Sequence, residues 1–201
     1  MDYKNLKAFI FDLDGTLVDS KLDFDLMRRE IGIKDETPVL EYLEAHSDPE
    51  FIKRGLDIVH KHELIGAQEA TWIDGSKDLL EYLKQSNINT GILTRNSKMV
   101  TDMTIESLGI DVEMVITRDD CEPKPSPRGI EVMLENWSLK PKDVIYIGDF
   151  FFDLQTARAA GSYFSFYWPM NYEAKKGRPD FLNQADDIID CYLKLMQKLK
   201  L

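Results

Sequence analysis

The amino-acid sequence predicts an α/β fold: a doubly wound parallel sheet carrying a small all-helical insertion. Three observations predict it. Short, continuous apolar runs recur along the chain, amphipathic helical patterns separate them, and one long stretch near the start has helical patterns only. Continuous apolar runs are the mark of strands buried on both faces, and strands alternating with helices build βαβ units.

The first run, Ala8–Phe11, predicts a strand buried on both sides. Similar runs follow at Thr90–Leu93, Met114–Ile116, Val144–Ile147 and, less cleanly, Tyr163–Phe166. Between them, Lys77–Gln85 and Lys98–Leu108 repeat apolar residues at i, i+3 and i+4, as helices do, and Pro127–Trp137 and Leu154–Ala160 also read as helices. A last helix is expected over Asp186–Leu199, with acids early and lysines late to complement its dipole. From Leu17 to Trp72 there is no strand-like run, only the helical patterns Phe24–Ile31, Val39–Ala45 and Phe51 to about Ala70. A connection that long is too long for a simple loop, so residues 17–72 are expected to form a helical subdomain. The α/β core then comprises residues 1–16 and 73–201.

Bulk properties narrow the function. The chain has 201 residues, a formal net charge of −11 and a pI near 4.8. Nucleic acid and anionic membranes are polyanions, so neither is an expected partner. The two cysteines, Cys121 and Cys191, are far apart and lack metal-site spacing, which fits a reducing cytoplasm. The short apolar run near the N-terminus does not read as a signal peptide, and no stretch is long enough to span a bilayer. A cytoplasmic protein is expected.

Four motifs carry chemistry. The first strand runs into Asp12-Leu13-Asp14-Gly15-Thr16, where i and i+2 side chains face one site and Gly15 allows a turn. Ionised Asp12 suits attack on phosphorus, while Asp14 suits proton donation to a leaving oxygen and later activation of water. The next strand ends in Thr94-Arg95-Asn96-Ser97, with Ser97 an N-cap and Thr94 a hydroxyl beside the free amides of a helix start. Lys124 sits between prolines in Glu122-Pro123-Lys124-Pro125-Ser126-Pro127, a rigid setting with no obvious structural use. Held in place, its ammonium would neutralise a phosphoryl group in transfer. Finally, Val144–Ile147 leads into Gly148-Asp149-Phe150-Phe151-Phe152-Asp153. Asp149 suits a hard divalent cation, and Asp153, in the first helical turn, orients either Lys124 or a metal-bound water.

In this order and spacing the motifs resemble the haloacid-dehalogenase-like superfamily of hydrolases, in its phosphoglycolate-phosphatase-like branch with a short helical cap. The match is DxDGT at Asp12–Thr16, Thr94, Lys124 in its KPxP context, and GDxxxD at Gly148–Asp153, with ARAAG at Ala157–Gly161 also fitting. The resemblance implies a Rossmann-like core and a Mg²⁺-dependent phosphatase that hydrolyses a small phosphomonoester through an aspartyl-phosphate. Asp12 would be the nucleophile and a metal ligand, and Asp14 the general acid and base, its backbone carbonyl also on the metal. Thr94 and Lys124 would bind phosphoryl oxygens, and Asp149 would complete the metal ligands. The partner would be a small phosphorylated metabolite. Rival readings are a phosphomutase using the same residues and a catalytically idle binding or regulatory protein. A dehalogenase is disfavoured, because it needs neither a metal nor Asp14 as an acid.

Two features depart from the family pattern. Phe150 follows Asp149 where a small or polar residue is usual, and the cap is shorter than usual. Within the cap, His60 and His62 project to different sides of a helix and read as surface residues. Arg28 and Arg29 are candidates for contact with a second anionic group.

Overall fold

The computed structural model describes residues 1, 3–34, 37–170 and 178–200. Its elements are, in chain order, β1 (Ala8–Phe11), β2 (Val18–Asp19), α1 (Phe24–Ile31), α2 (Val39–Glu44), α3 (Pro49–Glu69), β3 (Thr71–Trp72), α4 (Ser76–Gln85) and β4 (Asn89–Leu93). Then come α5 (Lys98–Leu108), β5 (Met114–Ile116), α6 (Arg128–Trp137), β6 (Val144–Gly148), α7 (Phe151–Ala160), β7 (Tyr163–Tyr167), β8 (Asp187–Ile189) and α8 (Tyr192–Lys200). The chain divides into two compact units: Met1–Asp19 with Thr71–Leu201, and Ser20–Ala70. Among the described residues no helix is long and apolar enough to cross a membrane.

In the larger unit six strands form one parallel sheet in the order β5-β4-β1-β6-β7-β8. The continuous apolar run of β1 has a direct explanation. Phe9 and Phe11 pack with Leu79, Leu80, Leu83, Ile92 and Tyr192 on one face, while Ala8 and Ile10 pack with Ile130, Met133, Leu154 and Phe164 on the other. Alternate side chains serve alternate layers, so no polar position is left. From β1 the chain moves outward to β4 and β5, then returns to β6 on the opposite side of β1. The carboxyl ends of β1 and β6 therefore flank the reversal of strand order, where open α/β sheets place their ligands.

Two elements differ from the sequence expectation. Apolar spacing predicts one helix over Asp186–Leu199, but Asp187–Ile189 forms β8, paired with Ser165–Tyr167, and α8 begins only at Tyr192. The open edge of β7 offers a ladder that outweighs helical propensity. The Asp187 carboxylate is also held there by Tyr3 Oη at 2.9 Å and Lys198 Nζ at 2.8 Å. The stretch expected to lack strands opens and closes with β2 and β3, an antiparallel pair with Val18 opposite Trp72 and Asp19 opposite Thr71. Two residues are too few to show a period of two.

The smaller unit is helical, with its own core of Met27, Ile31, Ile33, Val39, Leu43 and Val59. Asp23 caps α1 by accepting from Leu26 N at 2.8 Å, and Asp48 caps α3 by accepting from Glu50 N at 2.9 Å. Arg28 is tied to Asp25 at 2.5 Å within α1, His62 meets Glu30 at 3.1 Å, and Arg29 is exposed.

Leu79 of α4 is fully buried against the Phe9 and Phe11 face. Leu79→Ala should lower unfolding free energy by about 2–5 kcal/mol, read from the urea midpoint at constant m-value.

Candidate active site

Asp12 continues the line of β1. Its N–H donates to Ile147 O at 2.8 Å, and its Oδ1 accepts from Leu13 N at 2.7 Å. The chain then folds back on itself, with the N–H groups of Leu17 and Val18 both donating to Leu13 O, at 2.9 and 3.0 Å. Gly15 makes that turn at φ +74°, and a Cβ there would lie 2.5 Å from Asp149 Oδ2. The missing side chain thus serves twice, once for the backbone and once to admit the Asp149 carboxylate from the end of β6.

Thr94 follows β4 and is buried; its Oγ1 accepts from Asn96 N at 3.1 Å. Ser97 caps α5, as the sequence predicts. Sequence reasoning gave no role to Asn96, yet its Nδ2 donates to Asp14 Oδ2 at 2.6 Å, between segments 82 residues apart. The available signal was its place two residues after Thr94 in a turn, which is slight.

Lys124 is 4% exposed. Its Nζ meets Asp12 Oδ1 at 2.8 Å and donates to Asp153 Oδ1 at 2.6 Å and Tyr146 Oη at 2.9 Å. The sequence left Asp153 with two roles, and the geometry favours orientation of Lys124. Asp153 Oδ2 is also engaged, by Phe150 N at 2.9 Å, so the carboxylate is fully buried and held at both oxygens. Gly148 makes room for it, since a Cβ there would stand 2.4 Å from Asp153 Cγ. Tyr146 was missed because a tyrosine inside an apolar strand run reads as core packing.

Burial raises the pKa of the Asp12 carboxyl to about 7, against the pull of Lys124 and helped by the charges of Asp153 and Asp14. Burial also works against the charge on Lys124, but Asp12 and Asp153 hold its pKa above the ordinary lysine value. Burial, followed by the charges of Asp153 and Asp12, drives the Tyr146 phenol well above its usual range. It is a neutral hydroxyl at any working pH.

Oxygens of Asp12, Asp149 and Asp153 lie within 4.8 Å of one another. Carboxylates crowded at that spacing, with one ammonium touching two of them, suit a hard divalent cation. Asp153 is already committed at both oxygens, which leaves Asp12 and Asp149 as the carboxylates best suited to hold the ion. The Asp14 carboxylate is not one of these three; it accepts from Asn96, and its charge still reaches Asp12.

The phenylalanine run divides its work. Phe151 packs into the core beside Phe181, with ring centroids 5.5 Å apart. Phe150 is about half-exposed and meets Phe152 edge-on, and Phe152 takes the Arg95 guanidinium over its ring at 4.9 Å.

Residues 25–166, well over half of the chain, match the family model for haloacid dehalogenase-like hydrolases. The chain belongs to that family. This hydrolase is 26% identical to a phosphoglycolate phosphatase of Nitrosococcus oceani, over 98% of this chain and 97% of that one. A putative haloacid dehalogenase-like hydrolase from Bacteroides fragilis shares its fold with a TM-score of 0.77 at 20% identity, over 94% and 99% of the two chains. CbbY from Rhodobacter sphaeroides, solved in complex with phosphate, gives 0.71 at 20% identity, over 98% and 100%.

The raised Asp12 pKa carries a stability consequence for the metal-free hydrolase. A group lifted from 3.8 to about 7 stabilises the fold fully below its unfolded pKa and loses that contribution as pH rises through its folded pKa. Measured against Asp12→Asn, metal-free wild type should lose stability as pH rises from about 4 to about 7. Thermal midpoints of the two proteins across that range, in a chelating buffer, check the sign.

Proposed function

We propose that this hydrolase is a Mg²⁺-dependent phosphatase that removes the phosphoryl group from small phosphomonoesters through an aspartyl-phosphate on Asp12. The observation that carries the reading is a buried ammonium, Lys124, placed 2.8 Å from a buried carboxylate at the carboxyl end of β1. A carboxylate so held attacks an electrophile that brings its own negative charge, and the lysine is there to receive that charge. Kinship to a phosphoglycolate phosphatase over nearly the whole chain supports the same class of substrate.

Asp12 uses the oxygen not held by Leu13 N to form a bond to phosphorus, while the ester oxygen departs. Asp14, held by Asn96, gives the departing oxygen its proton and then takes one from the water that attacks the phospho-aspartate. That second step breaks the bond between Asp12 and phosphorus, restores the carboxylate and releases inorganic phosphate. Thr94 and Lys124 bind phosphoryl oxygens through both steps. Asp12, Asp149 and the Asp14 carbonyl would hold Mg²⁺, which when bound supplies positive charge to the phosphoryl oxygens. The helical unit Ser20–Ala70 serves as a cap that chooses the substrate and excludes water, in a protein of the cytoplasm.

Hydrolysis of an aryl phosphate should require added Mg²⁺ and vanish in EDTA; full turnover in rigorously metal-free buffer would overturn the metal assignment. Two substitutions separate the roles of the acids. Asp12→Asn should abolish both turnover and a trapped phospho-enzyme. Asp14→Asn should cut turnover of an alkyl phosphate at least tenfold more than that of nitrophenyl phosphate, whose leaving group needs no proton. Equal losses on the two substrates would remove Asp14 from the role of general acid.

A further inference from the structure

We infer that Tyr146 is a positioning residue for the phosphoryl-binding groups: its one hydroxyl fixes Lys124 and the end of β4 relative to each other. This rests on the phosphatase reading above and adds a residue to it.

Tyr146 lies in the middle of β6, fully buried, with its ring edge-on to Phe164 at 6.0 Å. Its hydroxyl accepts from Lys124 Nζ at 2.9 Å. It has one proton for two acceptors, Asp153 Oδ1 at 2.8 Å and Leu93 O at 3.1 Å. Leu93 is the last residue of β4 and immediately precedes Thr94. In the sheet β4 and β6 are separated by β1, a gap of about 10 Å at the usual strand spacing, and the phenol spans it. A single side chain thus touches Lys124, the acid that orients it, and the strand that delivers Thr94.

Packing alone does not require this arrangement. A buried tyrosine needs one partner, and Leu93 O by itself would satisfy it. The contacts to Lys124 and Asp153 matter because of the count of donors. Lys124 has three N–H groups and three acceptors, Asp12, Asp153 and Tyr146. To hold a phosphoryl oxygen it must exchange one of them. Asp12 is the one to yield, because it loses its negative charge when its other oxygen bonds phosphorus and its Oδ1 keeps the Leu13 N–H, while Asp153 and Tyr146 remain fully buried. They keep it aimed at the incoming oxygen throughout. A phenylalanine at 146 would fill the same volume but leave one N–H of Lys124 facing carbon, and the ammonium would settle on its two carboxylates instead.

The test is a double-mutant cycle on wild type, Tyr146→Phe, Lys124→Met and the double variant, each first shown to be folded by its thermal midpoint. The readout is calorimetric binding of inorganic phosphate in the presence of Mg²⁺, a probe that needs no turnover. Tyr146→Phe should weaken phosphate binding about tenfold, the usual effect of losing a hydrogen bond to a charged group. In the Lys124→Met background the same change should cost nothing further. Equal losses in both backgrounds, or undiminished binding by Tyr146→Phe, would overturn the assignment. Should Lys124→Met fail to fold, Lys124→Arg, which keeps the charge but alters the donor geometry, takes its place in the cycle. Turnover of nitrophenyl phosphate is read separately. A protein showing the coupling in phosphate binding but hydrolysing no ester would sink the phosphatase reading and leave the role of Tyr146 standing.

Discussion

The site is organised around one buried ammonium shared by two buried carboxylates. Lys124 lies between Asp12 and Asp153, at 2.8 and 2.6 Å, with almost no exposure to water. Such an arrangement is not a device for stability. Taking three charges out of water costs several kcal/mol per ion, and an apolar cluster of equal volume often does as well or better. The fold must therefore carry the cost elsewhere, in the two apolar layers that cover the sheet. Several local features follow from keeping the cluster in place. Gly148 leaves room for Asp153, Gly15 leaves room for Asp149, and the prolines on either side of Lys124 stiffen the segment that presents it.

Charge balance sets a second condition. The chain carries a net −11, and the crevice adds Asp14 and Asp149 to the two acids already paired with Lys124. A phosphate ester approaching such a surface is repelled at long range, so binding depends on positive potential confined to a few ångströms. In the proposed reaction Lys124 and a divalent ion supply that potential together, and neither suffices. The raised Asp12 pKa fits this condition: burial is its main cause, and the charges of Asp153 and Asp14 add to it against the pull of Lys124.

Much of this was legible in the sequence because buried parallel strands write themselves as unbroken apolar runs. Ala8–Phe11 and Val144–Ile147 could be read as strands from their apolar runs, and it was the family resemblance of the motifs that follow them which implied that their acids meet. What escaped were effects made by distant partners. β8 forms because β7 offers an edge, and nothing within Asp187–Ile189 says so. Asn96 and Tyr146 take their roles from Asp14 and Lys124, residues 82 and 22 positions away, and a local pattern cannot register either. The phenylalanine run shows the same limit. Its three identical side chains divide between core, surface and the stack on Arg95 according to helix geometry.

The short ribbon of β2 and β3 has a consequence for how such a protein diversifies. Val18 faces Trp72 and Asp19 faces Thr71, so both ends of the helical unit emerge from neighbouring points on a paired backbone. Opposed residues in an antiparallel pair stand about 5 Å apart, and whatever chain joins them needs to close only that distance. The entropy of closing a loop grows slowly with its length, by about 0.6 kcal/mol for each doubling. Insertions of very different size can therefore be exchanged at this ribbon with little strain on the sheet behind it. A lineage can exchange the helical unit by recombination at one junction, leaving the charged cluster of the sheet unit untouched.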